Sequence, residues 1–465
     1  MGFRIKQTRF SSFIVVLLAL CACSDPVIPL VAPPPEPTPV QTLVTSPEIT
    51  TGEDEVEPQE RGTTATTLRI AVIADGPDDS LNDGEAISVW QSVEAWANSV
   101  NRSTKLAGRE IIVERVDSAI FRHVEALNFV CEGDFFAIVG SFALNDSDGL
   151  EQLLSPNCSL PDFPANVFSL TRLYSGLTFQ SNPTGAITTS AGWASYFAEI
   201  DQSSSQEAAT LMPELTSTVL AGERIIESAT AKGFKFVHSP IYEIESDFSK
   251  ETEALILTNS KSLVWGNSGS QLTRFLNSIE AYEPDFSFEF ITCGQACYNP
   301  DWIQNAGLAA EGVSIWLPHL PIEEAELNDE LLRYLFFMNS THGTEAKPTA
   351  AGIAAWSAAL LFEEAVSRAV GTGSAAYRPE SLTRQSVIEA AQGITFWDAS
   401  GLHGISNPAE GIPSPCFVIM TLTDGLWERT FPQRPGELSC EDQNLVVLEA
   451  TADFEAIEGN SQSPE

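Results

Sequence analysis

Apolar residues along this chain alternate between two periods. Residues 68–74 form a short, nearly unbroken apolar run, the pattern of a strand buried on both faces. Residues 85–100 then place Ile87, Val89 or Trp90, Val93, Ala97 and Val100 at helical spacing, and 110–116 returns to a strand pattern. A helix over 122–130, a strand over 135–140, a helix near Leu150 and a strand over 166–170 continue the order. Strand–helix–strand crossovers are right-handed, so this order predicts a doubly wound parallel sheet with its loops gathered at the carboxyl ends of the strands.

A second alternating set follows Asn182-Pro183. It predicts helices over 189–200, 216–232, 247–258 and 270–281, interleaved with strands over 234–239, 262–266 and 286–293. Two lobes are implied. Helices over 328–338 and 349–370 come next, then two β-rich pieces, 416–422 and 427–431, around the turn Thr423-Asp424-Gly425. The fold class expected is α/β, with two parallel-sheet lobes.

The ends of the chain carry a different signal. Arg4, Lys6 and Arg9 precede an apolar run over 13–20, and Leu20-Cys21-Ala22-Cys23 supplies the apolar, small and cysteine positions of a lipoprotein cleavage site. The run is shorter than the roughly 20 residues needed to span a bilayer, so residues 1–22 are expected to leave as a signal peptide with Cys23 lipidated. Residues 23–67 are rich in Pro, Thr and acids, including Pro33-Pro34-Pro35-Glu36-Pro37 and Gly52-Glu53-Asp54-Glu55. Proline-stiffened and self-repelling, they predict a solvated tether. The acidic residues 455–465 are expected to form a loose tail. The formal charge is −39, and loss of the three basic leader residues lowers it to −42. Such a surface repels phosphate backbones and anionic lipid, excluding nucleic acid as a partner and leaving the lipid as the membrane anchor.

Six cysteines remain in the body, an even number suited to an exported, disulfide-bonded chain. Proximity favours Cys131 with Cys158, Cys293 with Cys297, and Cys416 with Cys440. A zinc site at Cys293-Gly294-Gln295-Ala296-Cys297 lacks further ligands at suitable spacing. The acidic loop with Asp75, Asp78, Asp79, Asp83 and Glu85, and the loop Asn145-Asp146-Ser147-Asp148-Gly149, offer oxygen ligands for Ca²⁺ but no EF-hand pattern, so no metal or other cofactor is expected. His123, His238, His319, His342 and His403 are scattered, with no zinc-protease helix, G-x-S-x-G elbow or phosphate loop, so no enzyme is expected.

Several segments carry a resemblance. They are Leu68-Arg69-Ile70-Ala71-Val72-Ile73, Gly108-Arg109-Glu110-Ile111, Ala137-Ile138-Val139-Gly140-Ser141, Asp247-Phe248-Ser249, Leu263-Val264-Trp265-Gly266-Asn267-Ser268-Gly269, Ala310-Glu311-Gly312-Val313 and the long helix from Pro348. In this order the chain resembles the leucine/isoleucine/valine-binding type of class I periplasmic solute-binding proteins of ABC transporters. The resemblance implies a three-strand hinge crossed near Asn182, Leu317 and Gly404. One lobe would span 68–182 and 318–404, the other 183–317 and 405–454, with a ligand in the cleft. It carries first-lobe contacts to Ser141, Phe142, Ala143, Ser169, Leu170 and Thr171, and second-lobe contacts to Tyr242, Ser268 and Gln295. Gln295 departs from the acid that family members binding α-amino acids place in this loop. Either Asp146 or Glu243 takes that role, or the ligand is an amide, a short organic acid or an aromatic acid. Trp265, Phe142 and Tyr174 are candidates for an apolar wall.

The function implied is capture of a small extracellular solute by hinge closure for an ABC permease, with the protein lipid-anchored to the cell envelope. A sensor of the same fold, read by another protein, is the alternative.

Overall fold

The computed structural model describes residues 60–76, 81, 83–185, 187–371 and 377–451. Cys23, nearly all of the expected tether and the acidic tail lie outside them. The first lobe is built on a four-stranded sheet in the order Glu110–Asp117, Thr67–Ala74, Ala137–Val139, Asp162–Phe163, all parallel. Leu68 and Ile70 through Ala74 are wholly buried, as expected of a strand with helices on both faces. The helix Glu85–Arg102 turns Val89, Val93, Trp96 and Val100 toward this sheet, and Trp90 anchors its start by donating to the Val72 carbonyl at 3.0 Å. Gly140 ends the third strand at φ +76; a Cβ there would lie 2.4 Å from Val93 Cγ2, so the close approach of helix and loop requires glycine.

The second lobe holds seven strands in the order Leu426–Phe431, Val418–Thr423, Ser314–Leu317, Phe290–Cys293, Ser262–Trp265, Ala208–Ala209, Phe236–His238. The neighbours are parallel except at one edge, where Val418–Thr423 runs antiparallel both to Ser314–Leu317 and to Leu426–Phe431, with which it forms a hairpin. The helix Gly269–Tyr282 shows how local sequence fixes an element: the Ser268 hydroxyl accepts from the Gln271 amide, and Leu272, Phe275 and Ile279 face the core.

Between the strand Ser314–Leu317 and the final hairpin, the chain returns to the first lobe. The helices Asp329–His342, Ala350–Val370 and Arg384–Gln392 share a core with the first sheet, through Tyr334, Trp356, Phe362 and Val387 among others. Ala350–Val370 is apolar enough to cross a membrane by composition, but here it is a buried core helix. Two lobes joined by three crossings constitute a class I periplasmic-binding-protein fold. The sulfurs pair as Cys131–Cys158, Cys293–Cys297 and Cys416–Cys440, the arrangement that sequence proximity favours.

One strand expectation fails. Residues 166–170 are not a strand: the fourth strand is Asp162–Phe163, and Leu170–Leu173 is a short helix capped by Ser169. Pro161 and Pro164 bracket that two-residue strand, which hides it within a turn-like sequence.

Candidate functional site

The strand ends of both lobes and all three crossings converge on a cavity of about 320 Å³. Phe142 enters from the loop after Ala137–Val139, and Ala165 to Phe168 from the loop after Asp162–Phe163. The second lobe contributes Gly266 after Ser262–Trp265, and Gly294, Gln295 and Ala296 after Phe290–Cys293. Loops at the carboxyl ends of parallel strands are where α/β sheets bind ligands, because the backbone there is free of the ladder. The crossings line the same space through Ser181 to Thr184, Pro318, His319 and His403.

The wall surface is largely apolar. Trp193, at the start of the helix Gly192–Ile200, stacks on Trp316 with ring centroids 4.3 Å apart, and Phe168 and Phe417 add further apolar surface. A smaller chamber of about 80 Å³ continues the space past Phe142, Phe168 and Ile225 to Leu81, Leu144 and Met212.

Polar side chains are interspersed among the apolar ones. Ser181 Oγ lies 2.5 Å from Ser357 Oγ and 3.2 Å from His403 Nε2, and it accepts from Trp397 Nε1 at 2.8 Å. His403 Nδ1 donates to the Gly404 carbonyl, so its Nε2 is left to accept. His319 likewise donates through Nδ1 to the Leu320 carbonyl, leaving Nε2 as a buried acceptor with no partner among the described residues. Burial lowers its pKa to about 4, so it is neutral. Arg224 lines the cavity from the helix Thr216–Ala231, one turn from Ala221 and Ser228 on the same face.

Among the described residues, Glu85 is the one acid lining the main cavity, and Asp83 joins it in the smaller chamber. Glu85 accepts from Thr349 Oγ1 at 2.7 Å and from Asn299 Nδ2 at 3.4 Å, and burial raises its pKa to about 8. Because the folded chain holds this proton more tightly than the unfolded one, its stabilising contribution is complete below about pH 4.5 and is lost as pH rises through about 8. Glu85→Gln is therefore expected to gain about 1–3 kcal/mol relative to wild type between pH 6.5 and pH 9. Urea unfolding at the two pH values measures this. Parallel pH profiles for the two proteins would show that Glu85 ionises freely.

The lobes also touch at the rim. The Ser270 amide donates to Asp83 Oδ2 at 2.9 Å, Asn299 Nδ2 donates to the Asp83 carbonyl at 3.2 Å, and Ser217 Oγ donates to the Leu144 carbonyl. These bonds bridge the lobes at one rim of the cleft.

A profile of the periplasmic binding protein family matches residues 67–426, most of the chain. The chain belongs to the periplasmic binding protein family. No curated protein sequence matches it. Solved structures share the fold at low identity. A fatty acid ABC transporter substrate-binding protein from Thermomonospora curvata is 14% identical, with a TM-score of 0.66 over 83% of this chain and 95% of its own. A leucine-binding protein from Thermotoga maritima is 15% identical, with a TM-score of 0.62 over 78% and 98%. A solute-binding protein of an ABC transporter from R. palustris, in complex with benzoate, is 15% identical, with a TM-score of 0.63 over 81% and 98%.

Within this periplasmic binding protein, the residues singled out from sequence separate into two groups. Phe142 and Gln295 line the main cavity, and Ser268 lines the smaller chamber while capping its helix. The others are placed elsewhere. Ser141 is buried with its hydroxyl bonded to Arg172 at 2.9 Å, and Ala143 is fully buried beside it. Ser169 caps the short helix, Leu170 is buried on it, and Thr171 faces solvent. Tyr242 is a core residue whose hydroxyl donates to Gln271 at 2.6 Å, and Trp265 packs against it. Asp146 and Glu243, the candidate partners of an ammonium, both miss the cavity: Asp146 is tied to Arg172, and Glu243 is exposed. In the acidic first loop, Asp75 accepts from Ser118 and from the Ile120 and Leu144 amides, which occupies the oxygens a cation would need. Asp78 and Asp79 lie outside the described residues.

Sequence reasoning missed Arg224, Trp193, Glu85 as a lining group, and the Ser181, Ser357 and His403 cluster. Arg224 carried a signal: it sits beside Ile225 on the apolar face of its helix, where a solvated cation has no reason to be.

Proposed function

We propose that this chain is a lipid-anchored, extracytoplasmic solute-binding protein that captures a small polar molecule by hinge closure and delivers it to an ABC permease. The observation that carries this reading is the cavity of about 320 Å³, walled by both lobes and by all three crossings, so that a ligand there contacts every part that hinge motion displaces. In this reading residues 1–22 are the signal, 23–67 the tether and 455–465 the tail. The lobes are 68–182 with 318–404 and 183–317 with 405–454. The solute is an amino acid or a related amide or organic acid. Relatives named for a fatty acid, for leucine and for benzoate favour small organic acids with apolar bodies.

Phe142, Gln295 and Ser268 stand as proposed contacts. Ser141, Ala143, Ser169, Leu170, Thr171 and Tyr242 act through the loops they support.

Cys23→Ala is expected to shift the protein from the membrane fraction to the soluble extracytoplasmic fraction and to abolish labelling by a radiolabelled fatty acid. Continued labelling of the variant would contradict the anchor. Deletion of the gene in the host tests the coupling. Loss of uptake of the bound solute is expected, whereas unchanged uptake with a lost transcriptional or behavioural response would assign the protein to sensing.

A further inference from the structure

Among the described residues two arginines, Arg172 and Arg224, are almost wholly buried, and they are treated in opposite ways. Arg172, 1% exposed, donates to both oxygens of Asp162, to Asp146 and to Ser141. Arg224, 5% exposed, has neither terminal nitrogen bonded to any acceptor among the described residues. Glu223, next to it in sequence, is exposed. Glu227, the acid whose field reaches Arg224, makes no hydrogen bond to its terminal nitrogens and is already engaged: its carboxylate takes the amides of Glu449, Ala450 and Thr451 and the Thr451 hydroxyl. A buried guanidinium without a hydrogen-bonded counter-ion is costly to the fold, and the cavity it lines is the place where a ligand can supply one.

We propose that Arg224 is the anion-recognition residue of the cleft, and that the ligand is a carboxylate with an apolar aromatic or aliphatic body. The proposal rests on the reading of the cavity as the solute site and names the chemistry of that solute. A guanidinium presents paired N–H donors that match the two oxygens of a carboxylate, which a neutral amide cannot satisfy equally. Trp193, Trp316, Phe168 and Phe417 offer the body apolar surface, and the adjoining chamber at Leu81, Leu144 and Met212 extends it. An ammonium on the ligand is not required. Of the two lining acids among the described residues, Glu85 is already hydrogen-bonded by Thr349 and Asn299, with burial holding it largely protonated at neutral pH, and Asp83 in the smaller chamber already accepts from the Ser270 amide. The strong negative charge of the chain as a whole disfavours a bound anion, which a local cation offsets.

The test uses the mature chain, stripped of ligand by unfolding and refolding. It is titrated with acid and amide pairs of one body: benzoate and benzamide, 3-phenylpropionate and 3-phenylpropionamide, octanoate and octanamide. Phenylalanine serves as the zwitterionic arm. At least one acid is expected to bind at millimolar concentration or below, with its amide about 30-fold weaker or more. Arg224→Met is expected to weaken that acid by about 100-fold, with Arg224→Lys intermediate, while the ligand-free Arg224→Met protein melts at the wild-type temperature or above.

Equal binding of acids and amides, unchanged acid binding by Arg224→Met, or a much lower melting temperature for that variant would each overturn the assignment. Phenylalanine binding in place of 3-phenylpropionate would also overturn it, by showing that Glu85 pairs an ammonium. If no acid binds but a neutral solute does, the anion assignment falls and the solute-binding reading stands. If nothing binds in this panel or a wider one, both fall.

Discussion

Arg172→Met is expected to destabilise the protein by about 3–5 kcal/mol, because it strands two buried carboxylates rather than removing a pair. Asp162 loses both bonds of 2.9 Å to the guanidinium and keeps only Thr178 among its side-chain donors, while Asp146 keeps the Phe168 and Ser169 amides. Even beside Arg172, burial raises the Asp146 pKa to about 6. A carboxyl raised in the folded state stabilises fully below its unfolded pKa near 3.8 and loses that contribution as pH rises through the folded value. Without the guanidinium that folded value moves higher still. The penalty of Arg172→Met is therefore larger at pH 7.5 than at pH 5, and urea unfolding at both values measures it. A cost below about 1 kcal/mol at pH 7.5 would mean that the cluster is solvated. The same substitution is expected to weaken ligand binding, since Asp146 and Ser141 hold the loops that present Phe168 and Phe142 to the cavity.

Trp193→Ala is expected to cost about 3–5 kcal/mol, the usual range for truncating a buried tryptophan. Trp193 is 3% exposed, stacks on Trp316 and packs against Phe234, so its removal leaves a void that joins the ligand cavity. Binding of any solute with an aromatic or aliphatic body should weaken with it, because one wall of the site is gone. Denaturant titration of the ligand-free variant separates the two effects. A variant of wild-type stability with reduced affinity would show that the surrounding aromatics collapse to fill the gap.

Much of the framework was legible because it obeys one physical rule, burial of apolar faces at strand or helix period. The strand beginning the first lobe, the helix from Glu85 and the long helix ending at Val370 all follow it. Asp162–Phe163 was not legible: two residues cannot show a period, and flanking prolines argue against a strand. That small displacement carried Ser169, Leu170 and Thr171 away from the cleft. Ser141 was misjudged for a different reason. A hydroxyl after a strand suits an incoming carboxylate or an internal arginine equally, and only tertiary packing reveals that Arg172 takes it. Arg224 and Glu85 were hidden by the reverse assumption, that charges on helices face water; in this protein both face the cavity.

The central claim is that a small molecule binds in the cavity between the lobes. A thermal-shift panel of amino acids, amides and organic acids on the mature chain tests it most directly, run beside Ala221→Trp, which places an indole into both chambers from the helix Thr216–Ala231. At a hundred times its dissociation constant, a true ligand should add about 2.7 kcal/mol to the wild-type protein and nothing to the blocked variant. Equal stabilisation of both proteins, or of neither across the panel, would contradict the account.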